Sequence, residues 1–272
     1  MAFSVNTNTG AMAALQSLNS TNRGLDTVQN RINTGLSVAS TKDDSASFTI
    51  AQTLRGDMGG LKAVNSSLNR AKSTVDVAVA GAEQISDLVN QMKAKATEAS
   101  DAGLDADSRT AIGKDFTALK EQITTIIDSS EFNGTNLLKA SGGTVSALQS
   151  TDTAASTLSV ANQDFSAIVT AIGTTFTDAA TAKTMVGTLE TQAKAINTKL
   201  SDLGSSSRKI DGQLSFTSKL SDVIEGGIGN LVDADLAKES ARLQALQVKQ
   251  QLGLQALSIA NQAPQSITSL FR

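Results

Sequence analysis

The 272-residue chain contains no cysteine, histidine, tryptophan or tyrosine, and its only proline is Pro264. Without Cys and His, a structural zinc site loses its usual ligands. Disulfides cannot form within the chain or between copies of it. Ser–His, Cys–His and zinc–His catalysis disappear with the same residues. Carboxylates, Lys, Ser and Thr remain, with no nucleophile beside a base, so no catalytic residue, metal ligand or cofactor site is expected. A net charge of −3 offers no basic field for nucleic acid, and eight Phe are too few for base-stacking platforms. No run of ~20 apolar residues is present to insert into a membrane. Met1–Gly10 is polar and lacks the basic-then-apolar pattern of a cleaved signal, so any export is expected by a route that needs none.

What the chain does have is helical periodicity. Ala11, Leu15, Leu18, Leu25, Val28, Ile32 and Leu36 fall three, four or seven apart, and the seven-residue step of Leu18, Leu25 and Ile32 is coiled-coil spacing. Gly35 loosens the end of this helix, and polar Ala39–Ser47 reads as a hinge. A second run from Leu54 to Ala99 holds the heptad for more than six repeats, passing through Gly59–Gly60 at ~1 kcal/mol per glycine. Asp101–Asp107 reads as a turn, and Ile112, Phe116, Leu119, Ile123 and Ile126 predict a third helix that stops near Ser129–Ser130. Asn133–Gly134 is the strongest short turn signal. Thr144–Leu148 and Thr157–Val160, β-branched and alternating, predict a small hairpin within about 131–165. Helical spacing resumes at Asp178, an N-cap candidate. Ala182, Leu189, Ile196, Leu203 and Ile210 then repeat every seven, and Gly226–Gly227 is expected to end that helix. A last helix is expected from near Asp233.

The fold class is therefore mainly α: long coiled-coil-like helices from both chain ends, with a small β-hairpin region in the middle. First should pair with last and second with penultimate. Asp233, Asp235 and Glu239 are weighed as oxygen ligands to a cation and set aside, since Asp233 and Asp235 read as caps of the last helix; Asp43–Asp44 read the same way. Gly56–x–x–Gly59–Gly60 has neither the preceding strand nor the GK[ST] of a phosphate cradle. The Ser/Thr-rich stretch 141–182 is compatible with O-linked sugars and equally with a plain polar surface.

The terminal stripes are thin and partly polar, carrying Asn22, Gln29, Gln250 and Gly253. Ordering two such segments costs ~1–2 kcal/mol of backbone entropy per residue, more than a lone two-helix seam offsets. Packing against several copies would offset it, so these segments are expected to order on assembly. A contact that is not self-complementary, repeated by a rotation that does not close, generates an open helical filament. The residues expected to carry self-assembly are Leu15, Leu18, Leu25, Ile32, Leu243, Leu246, Leu254, Leu257, Ile267 and Phe271.

At the level of motifs, Ser4–Asn8 with Ala13–Leu15, Gln29–Gly35 with Lys42–Ala46, Asn69–Ala71 and Phe132–Leu138 stand in order. Ala256–Gln265 and Ser269–Arg272 close the chain. In these runs the sequence resembles bacterial flagellin over essentially its full length. The resemblance implies an inner domain of terminal helices, about 1–42 and 233–272, lining a filament channel. It implies a helical rod domain, 43–232, around it, and no variable outer domains. It also implies self-polymerisation, alone or with related flagellins, and contacts with an export apparatus, a chaperone, and hook-associated and cap proteins. Spacing alone would end the last helix at Gln262, before Pro264; the resemblance implies that it continues. A junction protein between hook and filament, and a cytoplasmic coiled-coil scaffold, are the rival readings.

Residues Asn90–Glu98 align with the stretch through which the family is recognised by the vertebrate innate receptor for flagellin. Gln91 stands where the family has Arg, Ala94 where it has Glu, and Lys95 where it has Leu. These changes imply weak receptor activation.

Overall fold

The computed structural model describes residues 7–152, 157–173 and 175–270, with side chains through Gln262. Six helices and one two-stranded sheet make up the described chain. By internal packing the residues fall into two units, Met1–Gly56 with Val223–Arg272, and Asp57–Asp222. Two of the helices contribute residues to both.

Polar side chains set the helix ends. Helix α1, Thr9–Thr34, starts where the Asn8 side chain accepts from Ala11 N at 3.0 Å. It ends on Gly35, whose φ of +72° suits the left-handed cap that glycine adopts without steric cost. Asp44 accepts from the amides of Ala46 and Ser47 and opens α2, Ser45–Ala99. Asp105 caps α3, Ala106–Ser129, by accepting from Ser108 N at 2.7 Å. Asn133 and Gly134 take the two positive φ angles, +51° and +79°, of a tight turn between Phe132 and Thr135.

The sheet pairs β1, Val145–Ala147, antiparallel with β2, Leu158–Val160, in the register Val145 with Val160. A short α4, Ser166–Ala171, follows; its six residues are too few for periodicity to reveal. Helix α5, Ala179–Val232, opens on Asp178, which accepts from Thr181 N.

Three expected boundaries differ. Gly226–Gly227 does not end α5, which runs on to Val232. Glycine lowers helix propensity by ~1 kcal/mol without blocking the hydrogen-bond ladder, and buried Ile228 and Val232 hold the last turns. The chain leaves the helix only where Ala234 N donates to Gly35 O. The last helix, α6, then starts at Leu236, with Asp235 accepting from the amides of Ala237 and Lys238. Its backbone continues past Pro264 to Leu270, so the boundary drawn from spacing at Gln262 is too early.

The Asp57–Asp222 unit holds the larger core. Along α2, Val64, Leu68, Ala71, Val75, Ala78, Ala82, Ile85, Val89, Met92, Ala96 and Ala99 alternate four and three apart, and all are buried. From α5, Ala182, Leu189, Ile196, Leu203 and Ile210 join the same core at steps of seven. Ion pairs Lys72–Asp211 and Lys93–Glu190, the latter at 2.9 Å, run in opposite chain directions and fix the two helices antiparallel. Helix α3 adds Ile112, Phe116 and Ile123, with Phe176 edge-on to Phe116 at a 4.8 Å centroid distance.

Two α2 glycines are sockets. A Cβ at Gly60 would meet Thr151, and one at Gly81 would overlap Ser130 Oγ and lie 2.9 Å from Leu138 Cδ1. Arg109, buried, donates to the carbonyls of Ala99, Asp101 and Leu104, and so ties the α2–α3 turn.

Candidate assembly surface

Within the other unit, α1 and α6 pack antiparallel. Asn8 Nδ2 donates to Ala260 O at 2.7 Å, and Gln250 Nε2 to Asn22 Oδ1 at 2.8 Å. Arg31 Nη1 reaches Glu239 Oε1 at 3.3 Å, and a backbone bridge joins Leu36 to Asp233. Between these ties, leucines seat on glycines. A Cβ on Gly24 would lie 3.5 Å from Leu246, and one on Gly253 would lie 3.3 Å from Leu18. Glycine at these two points is what lets the leucine side chains reach the facing backbone.

The expected self-assembly residues divide between two sides. Leu18 and Leu25 are buried, and Ile32, Leu243, Leu246 and Leu257 are half-buried. Structure brings Leu18 and Leu246 into this seam, each against a glycine of the facing helix. Leu15 and Leu254 are instead 48% and 55% exposed. The side chain of Ile267 is not among those described, and Phe271 lies outside the described residues.

Sequence reading missed several neighbours of these exposed positions. Met12 on α1 is 64% exposed, and Val248, Leu252 and Ile259 on α6 are between 55% and 69% exposed. The signal was present. Ala241, Ala245, Val248, Leu252 and Ile259 recur at helical spacing on the side of α6 opposite Leu243, Leu246 and Leu257.

The buried side of α6 is the more polar one. It contains Gln250 and Glu239, the latter 6% exposed. Glu239 Oε1 is shared between Arg31 and Arg242, the latter at 3.6 Å. Arg31 Nε and Glu239 Oε2 are buried without a hydrogen-bond partner. A half-satisfied buried ion pair adds little net stability but is costly to break on one side only.

Of the acidic groups weighed as cation ligands, Asp43, Asp44 and Asp235 hold backbone amides and Glu239 pairs with Arg31. Asp43 accepts from Ala39 N, Ser40 N and Ser40 Oγ, and these bonds, the Ser40 hydroxyl foremost, hold its carboxyl below the usual value. Asp44 and Asp235 close the first turns of α2 and α6. Among the described residues, no three acidic side chains converge to hold a metal ion.

This architecture defines a mainly α-helical structural subunit whose chain ends pair with each other and leave apolar side chains in the open. Known proteins say which. The family described as the bacterial flagellin N-terminal helical region matches residues 5–143, and the bacterial flagellin C-terminal helical region matches residues 186–271. The chain is 47% identical over 269 residues to flagellin FljM of Caulobacter vibrioides, covering 99% of this chain and 98% of that protein. It is 36% identical to a flagellin of Brucella melitensis, covering 99% of each. Among solved structures, a Bacillus cereus flagellin superposes with a TM-score of 0.52 at 26% identity, over 56% of this chain and 88% of that one. The chain belongs to the bacterial flagellin family, as a short form without a variable domain. It is a structural subunit of the extracellular flagellar filament and self-polymerises.

Proposed function

We propose that the terminal segments, about 1–42 and 233–272, form the domain through which subunits assemble, and that they order when packed on other copies, with 43–232 as the rod domain. One observation carries this reading: α6 presents Val248, Leu252 and Ile259 to solvent while the side it buries holds Glu239 and Gln250. Helices of 26 and 35 residues cost tens of kcal/mol to order. Their shared seam is partly polar and filled by glycine, so burial of the outward side chains against further copies supplies the remainder. Of the expected set, Leu15 and Leu254 face outward and join Met12, Val248, Leu252 and Ile259 for contacts with other copies, whereas Leu18 and Leu246 serve assembly by forming the seam that presents them. Export apparatus, chaperone, hook-associated and cap proteins are the further partners this role requires.

The test is removal of residues 237–272. The shortened chain should stay soluble and keep the helical content of residues 57–222, yet form no filaments under electron microscopy after seeding. Filaments from that chain would overturn the proposal. Amide hydrogen exchange should show α1 and α6 unprotected in the free subunit and protected in filaments.

A further inference from the structure

Helix α6 could pack on α1 by either of two sides. One carries Leu243, Leu246 and Leu257 together with Glu239, Gln250 and Gly253. The opposite one carries Ala241, Ala245, Val248, Leu252 and Ile259, with Gln255 as its polar residue. Apolar burial alone favours the second, yet the structure buries the first. Something other than hydrophobicity makes the choice.

We propose that Arg31 with Glu239, and Asn22 with Gln250, are face-selecting residues: they dictate which side of α6 meets α1 and thereby keep its more apolar side free for other copies. Three observations carry this. Arg31 and Asn22 each find a partner on the facing helix, Glu239 at 3.3 Å and Gln250 at 2.8 Å. Turning α6 by half a revolution would leave Arg31 and Asn22 facing alanine, valine or leucine, and unpaired polar groups against an apolar surface are strongly disfavoured. Finally, the ion pair leaves Arg31 Nε and Glu239 Oε2 unpartnered. That arrangement is poor for stability but sufficient to reject an alternative packing, as single polar residues do in coiled-coil seams. The shape of the seam agrees, since Leu18 sits over Gly253 and Leu246 over Gly24.

The inference rests on the assembly reading above, and its test separates the two. Because the chain has no cysteine, introduced thiols pair only with each other. A Cβ on Gly253 lies 3.9 Å from Leu18 Cβ, inside the disulfide range of about 3.5–4.5 Å. Leu18→Cys with Gly253→Cys therefore reports the observed face, and Leu18→Cys with Leu252→Cys reports the turned one. Each reporter chain is added at trace level to unsubstituted chain during seeded growth. Bridges are then read as gel-mobility shifts in pelleted filaments.

With the native seam, the first bridge should exceed the second by about tenfold or more. In reporters also carrying Arg31→Ala, Glu239→Ala, Asn22→Leu and Gln250→Leu, the two should come within about threefold of each other, and incorporation should fall about tenfold. Glu239→Gln, which keeps an acceptor for Arg31, should hold the native ratio. An unchanged ratio in the four-substituted chain overturns the inference. So does loss of both bridges from its pelleted chains, which would mean that the polar pairs hold α6 in place rather than choose its face. Failure of the unsubstituted chain to grow filaments sinks the assembly reading instead.

Discussion

Glycines within one helix should respond to alanine with opposite signs. In a helix interior, Gly→Ala gains ~1 kcal/mol from backbone propensity alone, and the surroundings of the new methyl decide whether the gain survives. At Gly59 nothing lies within 4 Å of an added Cβ, so Gly59→Ala should stabilise the Asp57–Asp222 unit by ~0.5–1 kcal/mol. At Gly81 the methyl would overlap Ser130 Oγ and press on Leu138, which is fully buried. Ser130 Oγ donates to Ile126 O at 2.7 Å, so turning it away gives up a partly buried hydrogen bond. Overpacking of this kind costs ~1–3 kcal/mol, with the unmade bond on top. The lost bond and the propensity gain roughly cancel, so Gly81→Ala should lose ~1–3 kcal/mol.

At about 2–4 °C per kcal/mol for a unit of this size, Gly59→Ala should raise Tm by ~1–4 °C and Gly81→Ala should lower it by ~2–12 °C. With no tryptophan or tyrosine in the chain, helical circular dichroism during urea and thermal unfolding is the suitable readout. A Gly81→Ala chain as stabilised as Gly59→Ala would refute the reasoning, because it would show that Leu138 and Ser130 do not occupy the space the glycine leaves.

Other consequences follow from the same geometry. Arg109→Ala leaves the Ala99, Asp101 and Leu104 carbonyls without their donor and should cost ~2–3 kcal/mol in urea unfolding. Arg109→Lys should recover little of it, since one ammonium cannot reproduce the fork. The amide and hydroxyl of Ser108 hold the Asp105 carboxyl below its ordinary value, and those of Thr181 do the same for Asp178. A carboxyl depressed in the folded state stabilises fully above its unfolded value of about 3.9, and that contribution is lost as pH falls through the folded value. Asp105→Asn with Asp178→Asn should therefore flatten the fall of Tm below about pH 4, and calorimetry at pH 5 and pH 3 should show a shallower slope than the parent. Finally, Lys95 is engaged with Glu98 at 3.4 Å and Asp115 at 3.6 Å, at a position where the resemblance to flagellin implies an apolar residue. A reporter cell line for the flagellin receptor should respond weakly, and an ordinary response would count against the expectation drawn from the resemblance.

The long heptads were legible in the sequence because one stripe answers to one partner. Along α2 and α5 the buried residues fall at the positions that spacing picks out, from Leu68 to Ala99 and from Ala182 to Ile210. The Asn133–Gly134 turn and the Asp178 cap were equally legible, since positive φ and amide capping each demand particular residue types. Gly226–Gly227 misled because propensity is a local quantity, whereas the last turns of α5 are held by buried Ile228 and Val232. Helix α4 left no trace because six residues do not complete two turns.

Helix α6 was legible only in part: its leucine spacing found the packed side, with Leu243, Leu246 and Leu257 half-buried, but missed the second apolar side. Spacing assigns a helix one apolar side, and from Leu243, Leu246, Leu254 and Leu257 it takes that side to be the leucine-rich one. Apolar residues in fact occupy both sides, so their periodicities partly cancel and neither stands out. Which side packs on α1 is then written in the facing helix: Arg31 answers Glu239, Asn22 answers Gln250, and Gly24 makes room for Leu246. More than 200 residues separate these partners along the chain, and none of the pairings can be found by reading either helix alone. The leucines lie on the packed side, and a buried carboxylate and an amide on that same side pair it with α1. A substitution that makes the buried side of α6 more hydrophobic therefore has two opposed consequences, firmer packing on α1 and weaker rejection of the turned packing. By the second route, improving the core of this seam should impair growth of the filament.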